Sequence, residues 1–452
     1  MDFRIHSKRK ASTTLAWPTR KNQFAVVLGA ARAASIMGRM KTTSYFRLVA
    51  FVLAVAALHA SPVAADSNPP VLIVPGCRAM LHIAVNLPEG LQAGTAWQLT
   101  EIGKPGAAIA VQTIAAIADD GTEHRGHARL LANVPAADDL AKTRHFRLQR
   151  AATGAIAPAF TFSDDSPASL RIAEQNRPVL VYNHGVITDQ RVPTNDTRRS
   201  RACYIHPLWG LNGEVLTDDF PKDHYHHHGV FWAWPHVDVG GEKRDLWEYK
   251  DIAQRFVRWL GRDAGPLAAV LGVENGWFVG DRKVMIERVW IQPAKATSIA
   301  RALDLDFTWI PVDRPIALRG AEGKSYGGLT VRFAVANEKD STITVPAGAS
   351  PNDLPDTPLP WADLTCKFAG AEQPSGAAIF IPRDHPNYPP TWLTRHYGAL
   401  CVGWPGVKGK TFKPGEPIHL RYRVWIHAGA VDVAALKAAD EAYLSESGAR
   451  WE

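Results

Sequence analysis

The sequence predicts an all-β fold, a large two-sheet β-sandwich preceded by a small one, and three observations carry that expectation. Apolar residues recur at alternate positions in many short runs, Gly, Pro and Asp break those runs at close intervals, and patterns of helical period are scarce. Alternation of period two marks strands with one face buried, and strands without intervening helices pack sheet on sheet.

The elements follow in order. Leu48 to Leu58 is an uncharged apolar run preceded by Lys41 and Arg47 and followed by the small residues Val63-Ala64-Ala65. That order is a secretory signal peptide, too short for a stable membrane span. Met40 opens a leader of ordinary shape, so residues 1–65 are read as leader, with Met40 a candidate true start and Asp66 the first mature residue. Leu81, Ile83, Val85 and Leu87 then alternate in MLHIAVNLP, and Phe146 and Leu148 in RHFRLQR. Residues 66–155 are the right size for a small β-sandwich. After a boundary near 151–159, FTFSDDSPASLRIAEQNRPVLVYNHG opens a new series of strands, and residues 156–452 read as one large sandwich with Ser350 to Pro360 as a surface loop. Leu420, Tyr422, Val424 and Ile426 alternate in HLRYRVWI. The clearest helical pattern runs from Val431 to Leu444, with Asp432 as its cap. No internal repeat of fixed period is present.

Charge and cysteine content bound the function. The whole chain carries a formal +7, but ten of its 51 basic residues and one of its 44 acidic residues (Asp2) lie in residues 1–65. The remainder holds 41 basic and 43 acidic residues, a net of about −2. A nucleic-acid partner loses its electrostatic motive. With no further apolar run approaching ~18 residues, no membrane span is expected in the mature chain, and its place is periplasmic or extracellular. Cys77, Cys203, Cys366 and Cys401 are too sparse for a disulfide scaffold and form no CxxC pair. Two readings stay open: a Cys366–Cys401 bridge, or four buried thiols.

The chemistry is concentrated between Tyr204 and Trp234, YIHPLWGLNGEVLTDDFPKDHYHHHGVFWAW. Cores rarely collect acids, imidazoles and indoles together, whereas polar-ligand sites combine convergent polar groups with aromatic walls. Asp218 to Asp223 read as a loop and His224 to Trp234 as a strand, in which His224, His226 and His228 face one way and Tyr225 and His227 the other. The candidate catalytic set is Asp218, His224, His226 and His227, since imidazole titrates near neutrality and exchanges protons with hydroxyls. The candidate substrate-binding set is His206, Asp219, Lys222, Trp232, Trp234, Glu248 and His396. Gly229 is positioned to bend the backbone. His228 is the weakest member of the run, and His184 and His385 read as loop residues or cleft linings. His224 and His226 with Asp218 are an alternative metal set, or the cluster is a structural brace.

The Tyr204–Trp234 run, with SYGGLTVRFA (325–334) and PGEPIHLRYRVWIHAG (414–429), resembles the signature of a large bacterial family once labelled methane oxygenase PmoA, whose members are now usually called domain-of-unknown-function proteins. The resemblance covers about residues 160–445. The usual core of that family reads DHPHHRG; here Tyr225 stands in place of the Pro and His228 in place of the Arg. The inherited name conflicts with a chain lacking membrane spans, so a methane monooxygenase is not expected. The resemblance implies instead a mutarotase-like supersandwich that acts on carbohydrate, as an association only. The expected function is therefore a periplasmic or extracellular carbohydrate-active protein using a His/Asp/Trp cleft for acid/base chemistry on a sugar or glycoside: hydrolysis, elimination or epimerisation. The alternatives are a non-catalytic glycan-binding protein and a metal-dependent enzyme with His/Asp ligands. The partner is a small-molecule or oligosaccharide ligand; the sequence assigns no cofactor.

Overall fold

The computed structural model describes residues 69–452, save 105, 107, 138 and 152–155. The expected leader, residues 1–65, and its expected cleavage site lie outside the described residues. The chain is all-β, built from antiparallel strands with one α-helix of 13 residues among the described residues. No helix there is long and apolar enough to cross a membrane.

Two nine-stranded sheets form the main sandwich. The front sheet runs from Leu354–Pro358 at one edge through Thr391–Arg395, Ala399–Gly403, Gly328–Arg332, Val230–Ala233 and Tyr204–Leu208 to Phe160–Ser166 at the other. The back sheet is centred on Arg282–Pro293, Ala300–Pro311 and Ile418–Ala428. Aromatic side chains fill the space between them. Trp232 meets Phe307 at 4.9 Å between ring centroids, and Trp234 meets Trp277 at 5.5 Å and Trp309 at 5.3 Å. Glu287, fully buried in this core, accepts hydrogen bonds from Gln254, Asn275 and the Trp277 and Trp309 indoles at 2.7–3.2 Å. A buried carboxylate is tolerable only when satisfied in this way.

Residues 71–150 form a seven-stranded sheet whose last member is the C-terminal strand Arg450–Trp451, paired with Val71–Val74. Strands from both ends of its order, carrying Leu72, Val74, Leu81 and Ile83, share one core, separate from that of the main sandwich. A third cluster, in which Ile114 and Leu131 meet Val270 and Trp290, joins this sheet to the back sheet. The contacts group Pro69–Glu452 as one compact unit. The helix Val433–Ser445 starts where Asp432 accepts from Ala435 N–H at 2.8 Å, and it packs Leu436 and Ala439 against Trp361 and Phe380. All four cysteines are buried and free, so Cys366 and Cys401 are not bridged.

Alternation along the front sheet prepares the site. Trp232 points into the sandwich, so Phe231 points out. Its register partners Thr330, Cys401 and Leu393 continue an outward-facing row across three further strands.

Candidate functional site

The segment before Val230 is not a strand. His224 N–H donates to the Pro221 carbonyl at 2.9 Å and His227 N–H to the His224 carbonyl at 2.9 Å, two turns in succession. Pro and Asp favour that geometry, and it replaces the expected alternation. His224, His226 and His227 consequently face the same space, and His228 alone turns inward. Gly229, at φ +29°, ends the turns. A Cβ there would collide with the Ile205 carbonyl oxygen, so glycine is required for the chain to pass over the neighbouring strand.

The three imidazoles line a pocket of about 280 Å³ on the outer face of the front sheet. Leu393 and Cys401 from the outward-facing row form its floor, Trp247, Tyr326 and Tyr397 its aromatic walls, and Lys324 and Arg395 bring positive charge. His224 lies parallel to His227 at 4.7 Å and to Tyr397 at 5.0 Å, while His226 meets His227 edge-on at 4.7 Å. Trp247 packs on Tyr326 at 4.7 Å.

The electrostatics separate the three histidines. Burial, helped by the neighbouring His224 and Arg198, lowers the pKa of His226 to about 3. Burial also holds His227 well below the usual imidazole range. Both are neutral at physiological pH, and the Nδ1 of each is buried without a hydrogen-bond partner. His224 differs, because its Nδ1 lies 2.8 Å from Asp223 Oδ2. Burial acts to raise the Asp223 carboxyl, but the hydrogen bond from His224 and the Arg332 charge outweigh it and hold it below its ordinary value. An ionised carboxylate only accepts, so Nδ1 of His224 carries a proton, and Nε2 is the nitrogen that faces a ligand as acceptor in the neutral ring or as donor in the protonated one. Arg332, whose side chain is 5% exposed, fixes Asp223 from behind with Nη2 at 3.0 and 3.1 Å from its two oxygens, and its guanidinium lies 4.7 Å from the centre of the Tyr397 ring.

Of the expected site residues, His224, His226 and His227 converge on the pocket, and Glu248 stands beside it with Oε1 3.9 Å from His226 Nδ1. The others lie elsewhere. Trp232 and Trp234 are core residues, 1% and 0% exposed, because the strand's alternation turns them between the sheets. Asp218 accepts from the Asp219 N–H at 2.8 Å and bonds none of the imidazoles, and burial raises its pKa. Asp219, raised to about 6 mainly by burial, accepts from Tyr204 Oη at 2.7 Å and from His228 Nδ1 at 2.8 Å. That triad is a brace beneath the pocket. His206 is tied to Thr217 Oγ1 at 3.0 Å. His396 is held by Asp353 at 2.8 Å, behind Tyr397 rather than in the pocket. Lys222 is exposed in the turn and does not line the cavity. His184 packs against Phe256 and Trp259, and His385 bonds Tyr422 Oη at 3.1 Å.

Sequence reasoning assigned no role to Asp223, Lys324, Tyr326, Arg332 or Arg395. A signal existed, for Asp223 opens the histidine run and Tyr326 and Arg332 both lie in SYGGLTVRFA. Among the described residues, no group of three or more His, Cys, Asp or Glu converges to hold a metal ion; Asp218 does not join the imidazoles.

A family model described as a family of unknown function, DUF6807, matches residues 169–440, a span that contains every residue lining the pocket. No curated protein matches the chain.

Proposed function

This chain belongs to the DUF6807 family, a family of unknown function, and from that premise we propose that it is a carbohydrate-active protein of the periplasm or extracellular space. It holds a sugar or glycoside in the His224–His226–His227 pocket and moves a proton on it. The observation that carries this reading is the convergence of three imidazoles with Trp247, Tyr326 and Tyr397 around one small cavity. Indole and phenol faces suit the C–H faces of a sugar ring, and neutral imidazoles both donate to and accept from hydroxyls. His224 is the proton-transfer group, since Asp223 fixes its tautomer and compensates the imidazolium formed when Nε2 takes a proton. Arg332 is a positioning residue acting through Asp223. His226 and His227 stay neutral and orient hydroxyls. The PmoA-like and mutarotase-like likenesses belong to this proposal; the matched family model carries neither label.

A second reading, a non-catalytic glycan-binding protein, uses the same pocket and is favoured by the depressed pKa of His226 and His227, which makes both poor bases. Ligand-observed NMR with a panel of neutral and acidic saccharides tests the shared claim. Saturable binding of at least one sugar is expected, lost in His226→Ala and in Trp247→Ala. Absence of binding across the panel, or binding of every sugar indifferent to both changes, overturns it. Turnover separates the enzyme from the binding protein.

A further inference from the structure

A second cavity, of about 450 Å³, lies between the N-terminal sheet and the outer face of the back sheet. Its floor follows from strand alternation. Leu305 and Phe307 point into the sandwich core, so Asp304 and Asp306 point out of it. Register sets two rows across that face: Gln292, Asp304 and Arg423 in one, Trp290, Asp306 and Arg421 in the next.

The first row is saturated. Arg423 binds Asp304 at 2.6 and 2.8 Å and Glu446 at 2.7 and 2.9 Å, two carboxylates on one buried guanidinium. The second row is not. Among the described residues nothing donates a hydrogen bond to Asp306. Arg421 turns away to Asp384, and Arg129, reaching over from the N-terminal sheet, gives one N–H to the Ala84 carbonyl at 3.1 Å. Burial pushes the Asp306 carboxyl up, with Arg421 and Arg129 acting against that. The Asp306 carboxyl is half-buried and opens on the cavity, so its acceptor oxygens are free for a donor that a ligand brings.

We propose that this cavity is a second binding site, for a neutral saccharide, with Asp306 accepting from one hydroxyl and Arg129 and Arg421 donating to its neighbours. The charge balance selects the class. Four arginines and four carboxylates line the cavity, so its formal charge is zero and favours neither an anion nor a cation. A site offering both an acceptor and donors matches hydroxyls, which do both. The volume falls in the usual range for small-ligand sites, roughly 300–1,000 Å³. The inference is independent of the histidine pocket.

The test uses the full chain and its Asp306→Ala and Asp306→Asn variants, titrated by ligand-observed NMR with glucose, xylose, maltose and cellobiose. Glucuronate and glycine betaine serve as charged comparators. At least one neutral saccharide should bind saturably, and tenfold or more weakly in Asp306→Ala. Failure of all four to bind, indifference to Asp306→Ala, or tighter binding of a charged comparator overturns the proposal. Thermal unfolding of the ligand-free protein gives a reading that survives poor folding of the alanine variant. Asp306→Asn should keep the midpoint within about 2 °C of the wild type, since it breaks no hydrogen bond, whereas a clearly lower midpoint would mark Asp306 as a structural brace and overturn the site.

Discussion

His226 illustrates how a single environment fixes a residue's chemistry. Its side chain is 15% exposed and its pKa is lowered to about 3, against an ordinary value of 6.5. With the folded pKa below the unfolded one, the unfolded state binds more protons between those values. The His226 contribution to stability is therefore complete above about pH 6.5 and is lost as pH falls toward 3, with a slope of at most about 1.4 kcal/mol per pH unit. Denaturant unfolding of the wild type and His226→Gln from pH 7 to pH 4 should show the variant gaining relative stability as pH falls; parallel curves would show that His226 titrates normally. At neutral pH His226→Ala should cost no more than about 1–2 kcal/mol, the ordinary range for a single substitution. His224→Ala should keep stability and lower turnover by about 10²–10⁴, the usual worth of a positioned acid/base group. Arg332→Lys keeps the charge but loses the fixed fork, so it should shift the pH profile of turnover more than it shifts KM.

Glycine and proline decide the local elements, and this is where sequence reading and structure part. The crowding of His224, His226 and His227 was legible as composition. The direction of their side chains was not, because a strand was assumed where Pro221 and the following residues make two turns. Trp232 sits in a true strand and Trp234 one residue past its end, and the period-two rule that identified the strand also sends both indoles into the core. An indole that packs a core and one that walls a pocket look alike in sequence, and only the opposing sheet distinguishes them. Asp223 and Arg332 were harder still, since 109 positions separate the two ends of their ion pair. The same core supplies a prediction. Glu287→Ala leaves two amides and two indoles without their acceptor. It should cost about 3 kcal/mol or more by denaturant unfolding, well beyond any pocket variant. A change near zero would mean that Glu287 does not brace the sandwich.

At the scale of the whole molecule, the all-β class and the sandwich architecture were readable from alternation and short breaks, because half-buried strands write their burial directly into the sequence. The closure of the N-terminal sheet by the last strand was not, because Arg450 and Trp451 are too short a segment to carry a pattern. Trp451 donates its indole N–H to the Asn86 carbonyl at 2.7 Å and packs on the N-terminal core. Removing residues 449–452 should therefore lower hydrogen-exchange protection in residues 71–150 while leaving residues 169–440 protected. Equal loss in both would show one cooperative unit rather than a small sandwich joined to a large one.

The central claim is proton transfer on a sugar by His224, and one measurement reaches it directly: a proton NMR time course of a bound saccharide in D₂O with the wild type and with His224→Ala. Hydrolysis creates a new anomeric signal, elimination a vinylic one, and epimerisation replaces a C–H by C–D. One of these changes is predicted with the wild type and none with the folded variant. A spectrum unchanged by the wild type, or changed equally by both proteins, would contradict the account.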